Sequence, residues 1–159
     1  MRVGVPAERR TGERRVALVP DAVPKLTGVG LDVVVEAGAG RYSFASDDAY
    51  REAGAEVVDG DVLADSDVVL TVSPLTVDQA RTLRPGTITA GFLPVDAHQE
   101  LLDVCRDRDV LAFAMEQVPR ISRAQSMDAL SSQSLVAGYR AVLEAAIRFP
   151  RFFPLLAWL

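Results

Sequence analysis

Six short apolar runs constrain the fold of this chain more than any other feature of its sequence. They are rich in valine and mostly continuous instead of alternating with polar residues, which is typical of strands covered on both faces. Stretches of helical character separate the runs. This alternation predicts an α/β fold with a doubly wound, mostly parallel sheet and right-handed crossovers. The predicted strands span residues 3–5, 31–35, 57–58, 68–72, 87–92 and 110–115.

The predicted helices between these strands span residues 21–29, 46–53, 61–64, 77–83 and 96–108. Residues that commonly cap helices stand at or next to four of their starts: Asp21, Ser46, Thr76 and Asp96. After the last predicted strand, apolar residues recur at helical spacing over residues 135–148. We therefore expect the sheet to be followed by a long helix.

Composition excludes several classes of function. The formal net charge is −5, which argues against nucleic acid as a partner, because phosphate binding needs a basic field. One cysteine and one histidine disfavour a metal site built on thiols or imidazoles. We expect Cys105 to be a buried structural thiol and His98 to be an exposed residue at a helix start. The sequence shows neither a signal peptide nor a run of about 20 apolar residues, so a cytoplasmic protein is expected.

A polar segment follows the sixth predicted strand. Residues 120–135 contain two arginines, two glutamines, one aspartate and five serines, with no glycine or lysine. A polar ligand at the C-terminal edge of a sheet would suit these groups. A solvated loop with Asp128 or Ser131 as a helix N-cap would suit them equally well. Composition alone does not decide between these interpretations.

Several motifs together resemble one family. They are MRVGVP at residues 1–6, GERRVA at 12–17, EAGAG at 36–40, PRISRAQSMDALSSQ at 119–133 and AGYR at 137–140. Over residues 1 to about 153 they resemble the N-terminal domain shared by alanine dehydrogenases and the alpha subunit of proton-translocating NAD(P) transhydrogenase. The longest motif is specific to the transhydrogenase branch. The resemblance implies a flavodoxin-like or Rossmann-like fold, similar to the catalytic domain of formate dehydrogenases.

The resemblance also implies a nucleotide site. Arg120, Gln125, Asp128 and Ser131 match positions that surround the nicotinamide end of bound NAD(H) in transhydrogenases. Gln125 would orient a ribose or the partner nucleotide, Ser131 would bind the carboxamide, and Arg120 with Asp128 would form a charge-assisted pair. No residue is expected to act as acid or base, because hydride transfer between two nicotinamides needs only close approach and fixed orientation.

Three further positions bear on the alanine dehydrogenase branch. Arg15 aligns with an arginine that binds the substrate carboxylate there, which makes Arg15 a candidate anion ligand. Thr71 and Leu93 stand at or beside the places of that branch's catalytic lysine and histidine. Neither side chain is an acid or base near neutral pH, so alanine deamination is not expected.

Most of the NAD site is expected to lie outside this sequence. The turn Gly38-Ala-Gly40 lacks the third glycine and the following helix of a dinucleotide fingerprint, and G-x-G-x-x-G occurs nowhere. In the family the chain continues into a Rossmann domain that carries that fingerprint. We therefore predict an α/β domain over residues 1–134, then a connecting helix and apolar tail over 135–159. Two explanations for the missing Rossmann part remain open: a natural subunit that is split between chains, and a truncated product of the gene.

The implied function is that of the N-terminal segment of the NAD(H)-binding subunit, which exchanges hydride between NADH and NADP⁺ and couples this to proton translocation. Expected partners are a Rossmann domain or chain, the membrane and NADP(H)-binding subunits, and a second copy of the intact subunit. The expected location is the cytoplasmic side of the inner membrane. We expect the isolated chain to be inactive. The alternatives are a fragment of an alanine dehydrogenase-like oxidoreductase and a non-catalytic interaction domain that docks through its apolar tail.

Overall fold

All six predicted strands form one parallel sheet in the computed structural model, which describes residues 1–150. The strand order is β3-β2-β1-β4-β5-β6. The doubly wound parallel fold is therefore confirmed. The strands are β1 (Arg2–Val5), β2 (Asp32–Glu36), β3 (Glu56–Val58), β4 (Val68–Leu70), β5 (Ile88–Gly91) and β6 (Leu111–Ala114).

The chain divides into two units, Met1–Gln117 and the segment that follows from Val118. The first unit holds the whole sheet and four α-helices, and the second, as far as residue 150, holds one long helix. The helices are α1 (Val23–Thr27), α2 (Asp47–Glu52), α3 (Val77–Thr82), α4 (Gln99–Asp107) and α5 (Ala129–Arg148). The predicted apolar tail, residues 151–159, lies outside the described residues.

Two of the four predicted caps are confirmed. The Ser46 hydroxyl accepts the N–H of Ala49 at 3.2 Å, and Thr76 forms a reciprocal capping box with Gln79. The predictions for Asp21 and Asp96 are wrong. Both lie inside 3₁₀ turns (Pro20–Ala22 and Val95–Ala97) that precede the helices.

The prediction of a short helix over residues 61–64 is also wrong. Asp61 accepts the N–H of Leu63 at 2.8 Å, which makes a local turn instead of a helical one. Aspartate side chains compete with helix formation by binding nearby backbone groups in this way.

Two apolar cores fix the sheet. One contains Val5, Val33, Val35 and the fully buried Tyr50, whose hydroxyl donates to the Leu18 carbonyl at 2.7 Å. The other packs β4 against α3 and α4 and contains Cys105, which is 5% exposed. Burial raises the pKa of the Cys105 thiol. The prediction of a buried structural thiol is confirmed.

Helix α5 is the long helix expected after the sheet, and it begins six residues earlier than predicted, because Asp128 caps it. Its apolar residues Leu135, Val136, Tyr139, Val142 and Ile147 are all more than 60% exposed. Over the portion of the chain that the structure describes, no helix is long and apolar enough to cross a membrane.

Candidate functional site

A cleft in the first unit lies where the winding of the sheet reverses. Strands β1 and β4 are neighbours, and the chain leaves them toward opposite edges of the sheet. Doubly wound sheets bind ligands at such a point, outside the carboxyl ends of the strands. The cleft has a volume of about 810 Å³ and is lined by residues 6–10 after β1, residues 71 and 73–77 after β4, and the start of α4.

Two carboxylates hold the loop after β1 against its neighbours. Glu8 accepts the N–H groups of Val72 at 2.5 Å and of Ser73 at 3.1 Å, which ties this loop to the segment after β4. Glu36, at the end of β2, accepts the N–H of Ala7 and the Arg9 guanidinium, both at 2.8 Å. These bonds fix the rim of the cleft from both sides of β1.

Arg15 is paired with a carboxylate of its own loop. The Nε and Nη2 atoms of Arg15 lie 2.8 Å and 2.7 Å from the two oxygens of Glu13, in the bidentate arrangement that suits guanidinium and carboxylate. These bonds lower the pKa of Glu13 to about 2 and raise the pKa of Arg15. The guanidinium also lies over the Phe92 ring, 5.7 Å from its centroid.

Thr71 and Leu93, two of the three positions that bear on alanine chemistry, have unreactive side chains. Thr71 lines the cleft. Its backbone packs closely on Gly91, because a Cβ added to Gly91 would lie 2.5 Å from the Thr71 carbonyl oxygen. Leu93 is 8% exposed, and its N–H donates to both oxygens of Glu116, at 2.9 Å and 3.0 Å. Leu93 is therefore a core residue.

Ser73 and His98 are the remaining polar side chains of note on the cleft wall. Ser73 is 9% exposed, and its hydroxyl oxygen is buried without a hydrogen-bond partner among the described residues. His98 is half-buried, not exposed as predicted, and it holds the N-cap position of α4 without a side-chain capping bond. Within residues 1–150, no group of three or more histidine, cysteine or acidic side chains is placed to hold a metal ion.

The second unit contains the four residues predicted to face the nicotinamide. Asp128 is the N-cap of α5, and it accepts the Ser131 N–H at 2.9 Å and the Ser131 hydroxyl at 2.6 Å. The Ser132 hydroxyl donates to the Asp128 carbonyl at 3.1 Å. The hydrogen bonds from Ser131, with a smaller contribution from the charge of Arg120, lower the pKa of Asp128.

Arg120 and Gln125 are both exposed, and Gln125 lies in the 3₁₀ turn Ser122–Met127. The predicted pair of Arg120 with Asp128 is not within ion-pair distance in the described residues, although the Arg120 charge acts on the carboxylate. The structure thus joins Asp128 to Ser131 by hydrogen bonds. It does not join Arg120 or Gln125 to either of them by a side-chain hydrogen bond or ion pair.

Sequence reasoning did not identify the carboxylates that organise the first unit. Within residues 8–15 the sequence indicated only Arg15 as a candidate site residue, whereas Glu8 and Glu13 make the fixed contacts. For Glu13 the spacing to Arg15 was an available signal. The two residues that Glu8 contacts, Val72 and Ser73, lie 64 and 65 positions further along the chain, so no local pattern reveals the contact.

The fold and the cleft define a doubly wound α/β domain of the kind that binds ligands at its switch point. Residues 4–137 match the family described as "Alanine dehydrogenase/PNT, N-terminal domain". The chain belongs to this family, and the resemblance predicted from its motifs is confirmed.

Relatives in the transhydrogenase branch match almost the whole chain. The chain is 43% identical over 155 residues to "NAD(P) transhydrogenase subunit alpha" of Cereibacter sphaeroides, covering 96% of this chain and 30% of that protein. A solved structure of transhydrogenase from Sinorhizobium meliloti superposes with a TM-score of 0.91 at 37% identity, covering 99% of this chain and 48% of that chain.

Alanine dehydrogenases are more distant. The Bacillus subtilis enzyme is 35% identical over 142 residues, covering 89% of this chain and 37% of the enzyme. A solved L-alanine dehydrogenase superposes with a TM-score of 0.69 at 29% identity, over 74% of this chain and 33% of that chain. The chain spans less than half the length of each of these relatives.

Proposed function

We propose that this chain is the N-terminal segment of the NAD(H)-binding subunit of a proton-translocating transhydrogenase. The observation that carries the proposal is the agreement of almost the whole chain, in sequence and in backbone, with proteins named transhydrogenase. The reaction is hydride transfer between NADH and NADP⁺. A partner subunit holds NADP(H), and membrane subunits move the proton.

Arg120, Gln125, Asp128 and Ser131 form the chain's contribution to the nicotinamide site. Arg120 and Gln125 are exposed, and their guanidinium and amide donors suit the oxygens of a ribose or a carboxamide. Asp128 and Ser131 are already ordered by their mutual hydrogen bonds at the start of α5. No G-x-G-x-x-G occurs in the chain, so the residues present fit only the nicotinamide end of the dinucleotide.

The bound nicotinamide supplies the hydride chemistry. The chain's residues have the task of holding and orienting the ring, since hydride exchange needs close approach and alignment instead of proton transfer. Gln125 orients the nucleotides, and the Ser131 hydroxyl, whose proton is donated to Asp128, accepts a hydrogen bond from the carboxamide N–H. Asp128 keeps Ser131 in place through the hydrogen bonds to its N–H and hydroxyl groups.

The partners follow from the same proposal. A Rossmann domain or chain completes the NAD(H) site, and the intact subunit works as a homodimer with membrane and NADP(H)-binding subunits. The chain is then cytoplasmic and peripheral to the inner membrane. Alone it is inactive and binds NAD weakly or not at all.

Membranes from a strain that lacks the coding segment for this chain test the proposal. NADH-dependent reduction of an NADP⁺ analogue is expected to disappear in these membranes and to return when the segment is restored. Alanine-dependent reduction of NAD⁺ in the soluble fraction is expected to be unchanged. Loss of the alanine reaction with retention of hydride exchange would contradict the proposal in favour of an alanine dehydrogenase.

A further inference from the structure

The carboxylate of Glu116 joins the ends of the last two strands. Glu116 lies in the 3₁₀ turn Met115–Gln117, which directly follows β6. Both of its oxygens accept the backbone N–H of Leu93, at 2.9 Å and 3.0 Å, and Leu93 is the second residue after β5. Because Leu93 is 8% exposed, loss of this acceptor would leave a largely buried donor unpaired. The turn after β6 is thereby fixed to the neighbouring strand end.

A short and stiff connection leads from this turn to the polar motif, which comprises residues 119–133. Two residues separate Glu116 from Pro119, the first residue of the motif. The ring of Pro119 fixes its own φ, and it restricts the residue before it to extended conformations. The position of the Glu116 turn therefore limits where Arg120 can lie.

We propose that Glu116 is a positioning residue for the polar motif. Its carboxylate holds the point at which the chain leaves the sheet, and it touches no nucleotide. The inference rests on the proposed function, because it is there that Arg120 and Gln125 must be placed beside the nicotinamide. The task depends on the reach of the side chain instead of its charge, since a neutral carbonyl oxygen also accepts an N–H.

Two substitutions separate reach from charge. Glu116→Gln removes the charge and keeps both the length of the side chain and an acceptor oxygen. Glu116→Asp keeps the charge but is one methylene shorter, so its oxygens are expected to fall short of the Leu93 N–H. The assay is NADH-dependent reduction of an NADP⁺ analogue by the intact assembly. Glu116→Gln is expected to retain kcat within about twofold, and Glu116→Asp to lose at least about fivefold, because the two rings become misaligned.

The KM for NADH and a matched control distinguish positioning from general damage. In Glu116→Asp the KM is expected to change by less than about twofold, since the missing Rossmann part supplies most nucleotide contacts. Asp67 accepts the backbone N–H of Arg2 at 2.7 Å, at the opposite edge of the sheet. Asp67→Ala therefore removes a comparable bond away from the strand ends that lead to the motif, and its kcat is expected to stay within about twofold of the wild type.

Three results in this assay would overturn the inference. The first is a wild-type kcat in Glu116→Asp. The second is a fall of fivefold or more in Glu116→Gln, which would decide the matter even if Glu116→Asp did not fold. The third is a fall in Asp67→Ala as large as that in Glu116→Asp.

Hydrogen–deuterium exchange of the full chain gives a second readout that needs no nucleotide. The N–H groups of Ile121 and Ala124 form hydrogen bonds within the motif. Their exchange is expected to be at least about threefold faster in Glu116→Asp than in Glu116→Gln, and equal rates would overturn the inference. If the wild-type assembly transferred no hydride, the proposed function would fail, whereas these rates would still show whether Glu116 holds the motif.

Discussion

Asp128 accepts two hydrogen bonds from Ser131, one from its backbone N–H at 2.9 Å and one from its hydroxyl at 2.6 Å. The pair begins α5 and lies in the motif that links this chain to transhydrogenases. The carboxylate thus has a structural task, helix capping, in addition to its proposed place beside the nicotinamide.

The first prediction concerns the capping task of Asp128. Asp128→Ala removes the cap, and amide exchange in the first turn of α5 is expected to become about fivefold faster. Asp128→Asn keeps a good capping residue and removes the charge, so exchange is expected to stay near that of the wild type. Hydrogen–deuterium exchange with residue resolution measures both. Equal exchange rates for the two variants would mean that the cap does not stabilise this helix end.

The second prediction concerns Glu8 at the switch point. Glu8→Ala leaves the N–H groups of Val72 and Ser73 without their acceptors, and Val72 is 8% exposed. The free energy of unfolding is expected to fall by about 1–3 kcal/mol, because buried unpaired donors lose their hydration. Urea denaturation measures the change. Glu52→Ala on the exposed face of α2 is the control, and an equal loss there would exclude a specific role for Glu8.

The strands could be predicted because a continuous run of valines is visible in the local sequence and is typical of a buried strand. Each predicted strand overlaps the observed one, with ends displaced by at most two residues. The errors lie at three aspartates, each the first residue of a predicted helix. Aspartate favours turns as well as helix starts, so the residue type alone does not distinguish the two. Asp61 made a turn instead of a helix, and the aspartates at 21 and 96 lie inside 3₁₀ turns.

The candidate site was only partly predictable, for two physical reasons. Arg15 was predicted as a candidate anion ligand, but sequence reasoning did not assign it Glu13 as a partner. Glu8 acts across the switch point on residues far along the chain, a contact that only the assembled sheet creates. The roles of Arg120, Gln125, Asp128 and Ser131 toward NAD(H) remain predictions.

The third prediction is a pH dependence that arises from Glu13. Its pKa is lowered to about 2 from an ordinary value of 4.5, so the stabilisation is present above pH 4.5 and is lost as the pH falls toward 2. After allowance for solvent screening of Arg15, the loss is expected to be about 1–2 kcal/mol.

Unfolding free energies of the wild type and Glu13→Gln at a series of pH values measure this effect. The difference between the two proteins is expected to shrink between pH 4.5 and 2. A difference that stays constant over this range would contradict the assigned pKa.

The fourth prediction uses a pair of glycines. Gly91→Ala places a Cβ 2.5 Å from the Thr71 carbonyl oxygen, and the clash is expected to cost about 1–3 kcal/mol. Gly138→Ala meets nothing within 4 Å in α5 and is expected to be neutral or to stabilise the helix by up to about 1 kcal/mol. Thermal and urea denaturation measure both. Tolerance of alanine at position 91 would show that the two strand ends can separate.

The central claim is that the motif around Gln125 orients nicotinamides for hydride transfer in a transhydrogenase. The most direct test is the rate of NADH-dependent reduction of an NADP⁺ analogue by the intact assembly that carries Gln125→Asn. The account predicts a fall of at least about tenfold in kcat, because the shortened amide misplaces the rings. Ser134→Ala, just beyond the same motif, should leave the rate unchanged. A Gln125→Asn assembly as fast as the wild type would contradict the account.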